Sequence, residues 1–179
     1  MKLRILLAVA AAVVTVGCAR FDTRMEMRRF FKSSVEVTDT LGCIYERNMT
    51  FECIDGGVPE FIVYVASTEC SSCEIRQIPR LKPLYELADS LGTFEVYTIF
   101  SPSQDEYDDV LEQLVFMNFE YPLYVDVFGD FRRKNTCIPE EKKYHCFLLD
   151  KEGHPVFVGN PLANAELMLL FKKVLDRIQ

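Results

Sequence analysis

A pair of cysteines at the junction of a strand and a helix constrains this chain more than any other feature. The run EFIVYVAS, residues 60–67, is rich in β-branched and aromatic residues and predicts a strand buried on both faces. Cys70-Ser-Ser-Cys73 follows it, and apolar residues then recur at helical spacing as far as DSLG, residues 89–92. Pro79 should kink that helix, because it has no backbone donor. The pair is therefore expected at the start of a helix that follows a buried strand.

The C-terminal half continues the alternation of strands and helices. TFEVYTIF and YPLYVDVF predict two further strands on either side of the amphipathic helix SQDEYDDVLEQLVFMNF, which should start from a Ser or Asp cap. GDFRRKNTCIPEEKK predicts a short helix and a loop. YHCFLLD and PVFVGN predict a hairpin, and NAELMLLFKKVLDRI a final helix.

The segments before the cysteine pair are shorter. RMEMRRFFK, residues 24–32, has a helical pattern and is interpreted as a tether into the domain. VEVTD, LGCIYE and FECID predict short strands, with RNMT as a turn. The whole order predicts an α/β sandwich, in which a mixed central sheet carries helices on both faces.

The first 17 residues have the composition of an export signal. Lys2 and Arg4 precede an apolar run that is shorter than the roughly 20 residues of a membrane-spanning helix and that ends before Cys18. TVGC resembles a bacterial lipobox, in which Cys18 is lipidated, for example with palmitate, and begins the mature chain. An ordinary cleaved signal and an uncleaved anchor are the alternatives. All three export the chain, and we expect it on the periplasmic side of the cell envelope.

The charge balance excludes one class of partner. The formal net charge is -7, and removal of residues 1–17 takes away two positive charges and no negative one, which gives -9. A body this acidic is unsuited to nucleic acid, whose phosphates need clustered Lys and Arg. The basic residues that do cluster either contact anionic lipid head groups or form a solvated helix face. They are Arg20, Arg24, Arg28, Arg29 and Lys32.

The cysteine count indicates disulfides. The chain has seven cysteines, and six remain when Cys18 is set aside. An even number in an exported protein is typical of disulfide bonding. Cys43 and Cys53 lie on two segments joined by a turn, within plausible bridging distance. The two alternatives are a structural disulfide between them and two free thiols.

The position of Cys70 favours an attacking thiolate. Unpaired amide groups and the positive end of the helix dipole lower the pKa of a thiol at a helix start. Cys73, one turn along, can then attack a mixed disulfide formed at Cys70. Glu69 and Glu74 oppose this effect, because negative charge disfavours a thiolate. A permanent structural disulfide is the alternative.

From about Pro59 to the C-terminus, the chain resembles the thioredoxin superfamily, and within it the membrane-tethered TlpA-like lipoproteins of Bacteroidetes-type bacteria. The resemblance rests on two features. A strand is followed by Cys-x-x-Cys and a helix that contains a proline, and the later hairpin FLLDKEGHPVFVG is followed by a final helix. It implies a thioredoxin-like sandwich over residues 59–179, after a signal peptide (1–17) and a segment with anchor, tether and N-terminal strands (18–58). It implies that Cys70 is the nucleophile and Cys73 the resolving cysteine.

The resemblance also points to the segment before the hairpin. The family's cis-proline aligns with Tyr144, which we expect to be trans, because a cis bond at a non-proline residue costs about 2.5 to 4 kcal/mol. Tyr144 and His145 are then candidate substrate-binding residues near the pair, although His145 also fits a polar strand position. Cys146 is a third redox partner, a disulfide partner of Cys137, or a buried free thiol. The pair with Cys137 and either His145 or Cys146 would also supply four zinc ligands.

These features predict a lipid-anchored thiol–disulfide oxidoreductase that acts on exported protein thiols and disulfides. A membrane protein would be its electron donor if it works as a reductase. We expect no cofactor and no metal, since the sequence has no phosphate-binding loop and no calcium loop. The alternative is a non-catalytic binding or structural module of the cell envelope, in which Cys70 and Cys73 form a permanent structural disulfide. Accessibility separates the two, because an enzyme must leave the Cys70 sulfur partly exposed.

Overall fold

The computed structural model describes residues 23–38, 40–51 and 57–178. The predicted signal peptide, the lipidation site Cys18 and the proposed disulfide partner Cys53 lie outside these ranges. Within them, no helix has the length and apolar character needed to cross a membrane.

Strands and helices alternate along the chain. The strands are β1 (Gly42–Tyr45), β2 (Asn48–Thr50), β3 (Glu60–Val65), β4 (Glu95–Phe100), β5 (Leu123–Val125), β6 (Cys146–Leu149) and β7 (Pro155–Val158). The helices are α1 (23–30), α2 (Ser71–Ile75), α3 (Lys82–Leu91), α4 (Tyr107–Met117), α5 (Asp130–Lys134) and α6 (Ala165–Ile178). The expected Ser or Asp cap of α4 is not found, because Glu106 occupies that position without a side-chain hydrogen bond.

In the described part of the chain, the strands form one seven-stranded sheet in the order β2-β1-β5-β4-β3-β6-β7. β3 is parallel to β4, β4 is parallel to β5, and the hairpin β6–β7 joins antiparallel to β3. The predicted mixed sheet and α/β class are confirmed. The unit β3, Cys-x-x-Cys, helix, β4, with a terminal hairpin and final helix, has the thioredoxin-like order.

Alternating side chains of β3 build cores on both faces of the sheet. Ile62 and Tyr64 pack on one face, with Phe30 of α1 and with α5. Phe61 packs on the other face against α3 and α6, and Val65 against α2 and α4. β3 is therefore the central strand that carries the chain to the cysteine pair.

The N-terminal strands differ from expectation. Residues 35–38 do not form the predicted strand; the N–H of Val35 donates to the carbonyl of Gly153 at 2.9 Å, and the segment runs on without a ladder. RNMT is not simply a turn. Its last three residues form β2, and the turn consists of Glu46 and Arg47, whose φ values of 48° and 64° suit a tight hairpin.

The segment interpreted as a tether ends in the core. Phe30 is fully buried and meets Phe147 of β6 edge to face, with 5.2 Å between ring centroids. Met27, one turn earlier, packs against the same core. α1 is thus part of the packed domain.

Replacing Phe30 tests this docking. We expect Phe30→Ala to lower the free energy of unfolding by about 3 to 5 kcal/mol, because it leaves a cavity beside Phe147. Phe31→Ala is the matched control, since the Phe31 residue is 43% exposed and should cost less than about 1 kcal/mol. Urea denaturation measures both, and equal effects of the two substitutions would mean that α1 does not contribute to the core.

Candidate functional site

Cys70 and Cys73 form a disulfide at the end of the loop that follows β3. Their Cα atoms are 5.2 Å apart. The N–H groups of Cys73 and Glu74 both donate to the carbonyl of Cys70, at 2.9 and 3.1 Å, so that Cys70 opens the first turn of α2. Cys70 is exposed and Cys73 is half-buried. The residue assigned as nucleophile is therefore the accessible one.

The helix after the pair is shorter than predicted. α2 ends at Ile75, a 3-10 segment covers Ile78–Leu81, and α3 begins only at Lys82. Pro79 lies in the 3-10 segment and has no N–H to bond to the carbonyl four residues earlier, which explains the interruption. Because α2 has only five residues, its dipole is small, and the charges around the pair matter more.

A buried hydrogen-bonded pair, Glu69 and His145, anchors the loop before Cys70. Glu69 Oε1 lies 2.6 Å from His145 Nδ1, and the side chains are 8% and 3% exposed. The same carboxylate oxygen accepts the N–H of Ala66 at 3.3 Å, and the Glu69 N–H donates to the Ala66 carbonyl at 2.9 Å. The carboxylate of Glu69 thus closes the turn that presents Cys70 and ties it to the segment before β6.

The hydrogen bonds determine where the protons lie in this pair. His145 Nε2 is 2.8 Å from the carbonyl of Pro139, which can only accept, so Nε2 carries a hydrogen. Burial by itself raises the pKa of Glu69, but the hydrogen bonds from His145 and Ala66 outweigh it and hold the pKa below its usual value. One hydrogen is shared across the 2.6 Å contact between Glu69 Oε1 and His145 Nδ1, so the two side chains form a buried, hydrogen-bonded pair.

Lys142 joins the carboxylates on both sides of the cysteines. Its Nζ lies 2.5 Å from Glu74 Oε1 and 3.5 Å from Glu69 Oε2. The hydrogen bond to Glu74 is the main reason that the pKa of Lys142 is raised. A second cation, Arg76, places Nη2 3.6 Å from Cys73 Sγ. The negative charge expected to oppose a thiolate is thus offset in the folded protein.

The two candidate substrate residues occupy different environments. Tyr144 ends a 3-10 turn, is partly exposed, and has the Lys143 Nζ 4.7 Å from its ring centroid. The peptide bonds of the described residues are all trans, as expected for Tyr144. The structure connects His145 to the cysteine loop through Glu69, and its carbonyl accepts the N–H of Tyr64 at 2.8 Å.

The other cysteines are dispersed. Cys137 and Cys146 are not bonded to each other, because Cys137 packs on the α1 side of the sheet and Cys146 on the α3 and α6 side. Burial, with the charges of Glu69 and Glu74, raises the pKa of Cys146 to about 12, so its thiol stays protonated. Cys43 is buried on β1.

A zinc site does not assemble in the described residues, which hold no group of three or more His, Cys, Asp or Glu side chains placed for a metal. Cys137 contacts the Ser34 carbonyl instead, at 3.7 Å. The four-ligand alternative built on Cys137 therefore has no geometric support.

Sequence reasoning missed the role of Lys142 and the partnership of Glu69 with His145. Glu69 was considered only as a charge opposing the thiolate. The available signal was the charged run EEKKYH directly before β6; the antiparallel pairing of β6 with β3 in the structure places this run beside the end of β3.

Two solved structures illustrate what the chain is similar to. No protein-family model and no curated protein matches it. It is similar to an uncharacterized thioredoxin-like protein from Porphyromonas gingivalis, with 20% identity and a TM-score of 0.46 over 82% of this chain and 94% of that chain. It is also similar to a thioredoxin-like protein in the oxidized form, with 18% identity and a TM-score of 0.42 over 68% of this chain and 80% of that chain. At these values, the chemistry of the site has to be derived from its own side chains.

The two histidines of the chain provide a test of the buried Glu69–His145 pair. We expect His145→Ala to lower the free energy of unfolding by about 3 to 5 kcal/mol, because it leaves the Glu69 carboxylate buried without its main partner. His154→Ala is the control; its side chain is 50% exposed and faces Asp150 across 3.5 Å, so it should cost less than about 1 kcal/mol. If urea unfolding gives equal values, the Glu69–His145 pair does not hold the loop.

Proposed function

We propose that this chain is a thiol–disulfide oxidoreductase that uses the Cys70–Cys73 pair. The observation that carries the proposal is the exposure of Cys70 at the first turn of α2, with the neighbouring carboxylates of Glu69 and Glu74 offset by Lys142. A permanent structural disulfide needs no accessible sulfur, whereas thiol–disulfide exchange requires that an attacking thiolate reach one of the two sulfurs.

The reaction balances in two steps. A substrate thiolate attacks Cys70 Sγ, the Cys70–Cys73 bond breaks, and Cys73 leaves as a thiolate. A second substrate thiolate then attacks the substrate sulfur of this mixed disulfide, which forms the substrate disulfide and releases the Cys70 thiolate. The substrate loses two electrons and the pair gains them. The reverse sequence reduces a substrate disulfide, with Cys70 as nucleophile and Cys73 as resolving thiolate.

Arg76 suits the leaving group in the first step. Its guanidinium, a delocalised cation, lies 3.6 Å from Cys73 Sγ. A positive charge at this distance stabilises the thiolate that forms when the bond opens. Attack at Cys70 with departure of Cys73 is therefore favoured by access and by charge.

The proposed substrates are thiols and disulfides of exported proteins. This part of the proposal is supported by the export signal in residues 1–17 and by the lipobox-like TVGC that ends at Cys18. The protein would then be held to a membrane by its lipid and face the periplasm. If it acts as a reductase, it needs an electron donor, for which a membrane protein is suited.

The reduction potential of the pair tests the chemistry. We expect a value between about -270 and -120 mV for the full chain in mild detergent, equilibrated with glutathione or dithiothreitol. In the reduced protein, Cys70 should be alkylated before Cys73. The variant Cys73→Ser should accumulate a mixed disulfide at Cys70, and Cys70→Ser should not form one at Cys73. A potential below about -300 mV, with unselective alkylation, would instead indicate a staple in a binding module.

The proposed anchor has its own test. We expect the full chain, expressed in a bacterial host, to incorporate labelled palmitate and to sediment with membranes. Cys18→Ser should abolish incorporation, because the acylated residue is gone, while Cys137→Ser should retain it. Equal labelling of both variants would contradict lipidation at Cys18.

A further inference from the structure

We propose that Lys142 is a positioning residue for the exchange reaction, whose ammonium offsets the carboxylates on either side of the cysteine pair and shifts the Cys70–Cys73 equilibrium towards the dithiol. The inference rests on the proposed function and names one determinant of its redox balance.

The geometry makes Lys142 the link between the two flanking acids. Its Nζ lies 2.5 Å from Glu74 Oε1 and 3.5 Å from Glu69 Oε2. Glu74 and Lys142 are 68 positions apart, so only the fold brings them together. The contact is direct at α2, because Glu74 shares the first turn with Cys70 through its N–H bond to the Cys70 carbonyl at 3.1 Å.

The two acids depend on Lys142 to different degrees. Glu69 is hydrogen-bonded to His145 at 2.6 Å and its side chain is 8% exposed, so it keeps a close partner when Lys142 is removed. For Glu74, Lys142 is the ion-pair partner at 2.5 Å, and the Glu74 side chain is 21% exposed. Loss of Lys142 therefore leaves negative charge mainly at Glu74, within the turn that Cys70 opens.

That charge acts on the reduced form. The disulfide is neutral, whereas the dithiol releases a proton to give a thiolate. A nearby carboxylate raises the free energy of a thiolate and does not change that of a disulfide. Because the Lys142 side chain is 59% exposed, solvent screens the interaction, and the effect should be moderate and sensitive to salt.

The experiment compares Lys142→Met with Lys143→Met in the full chain. Lys143 is the next residue of the same 3-10 turn, is 56% exposed, and pairs with Glu141 at 2.5 Å. Each substitution removes one positive charge from the same turn, but only Lys142 contacts Glu69 and Glu74. The equilibrium constant against a glutathione or dithiothreitol buffer and the iodoacetamide alkylation rate of reduced Cys70 at pH 7 are measured for each.

We expect Lys142→Met to lower both the equilibrium constant for reduction and the alkylation rate by about threefold to tenfold. Lys143→Met should change either by less than about twofold. Adding Glu74→Gln to Lys142→Met should restore the wild-type values, and 1 M salt should reduce the difference between the two lysine variants. An unchanged urea midpoint shows that the fold is retained.

Equal effects of the two lysine substitutions, or failure of Glu74→Gln to restore the equilibrium, would overturn the role of Lys142. The wild-type equilibrium constant itself tests the proposed function. Because a dithiothreitol buffer yields a constant even for a very stable disulfide, the Lys142 difference is measured whichever way that test comes out.

Discussion

The pairing of β3 with β6 determines where the site is built. The ladder runs from Glu60 opposite Leu149 to Val63 opposite Cys146, and the N–H of Tyr64 extends it by donating to the carbonyl of His145 at 2.8 Å. This backbone bond holds His145 against the turn that leaves β3. The loop carrying Cys70 is consequently fixed by the sheet on one side and by the Glu69–His145 pair on the other.

Burying the Glu69–His145 pair removes both side chains from water, a free-energy cost that their hydrogen bonds have to offset. Here each side chain has a further partner: the Ala66 N–H donates to the Glu69 carboxylate, and the Pro139 carbonyl accepts from His145 Nε2. Lys142 brings a positive charge to Glu74, and Arg76 Nη2 lies 3.6 Å from Cys73 Sγ, both at a five-residue helix. Because so short a helix has a small dipole, these side-chain charges are the larger electrostatic influence on the pair.

Much of the fold was predictable, because the long apolar runs of β3 and β4 and the helical periodicity of α6 identify these elements from local sequence alone. The cysteine pair was placed correctly from the strand–helix junction. Two features depend on contacts between distant parts of the chain and could not be predicted from local sequence: the burial of Phe30 and the contact of Glu69 with His145. Phe30 and Phe31 are the same residue type in adjacent positions, and only packing decides which is buried. Glu69 and His145 are 76 positions apart, and their contact depends on the β3–β6 register, which sequence periodicity does not define.

The docking of α1 also limits how far the domain can move. α1 is packed into the core at Phe30, and the proposed lipid attachment at Cys18 comes five positions before residue 23, where the described part of the chain begins. Fully extended, this interval spans at most about 18 Å. If Cys18 is lipidated as proposed, the domain would stay close to the membrane surface, at high effective concentration for other membrane-bound proteins. Its redox partners would then be selected by their position relative to the membrane as well as by the reactivity of their thiols.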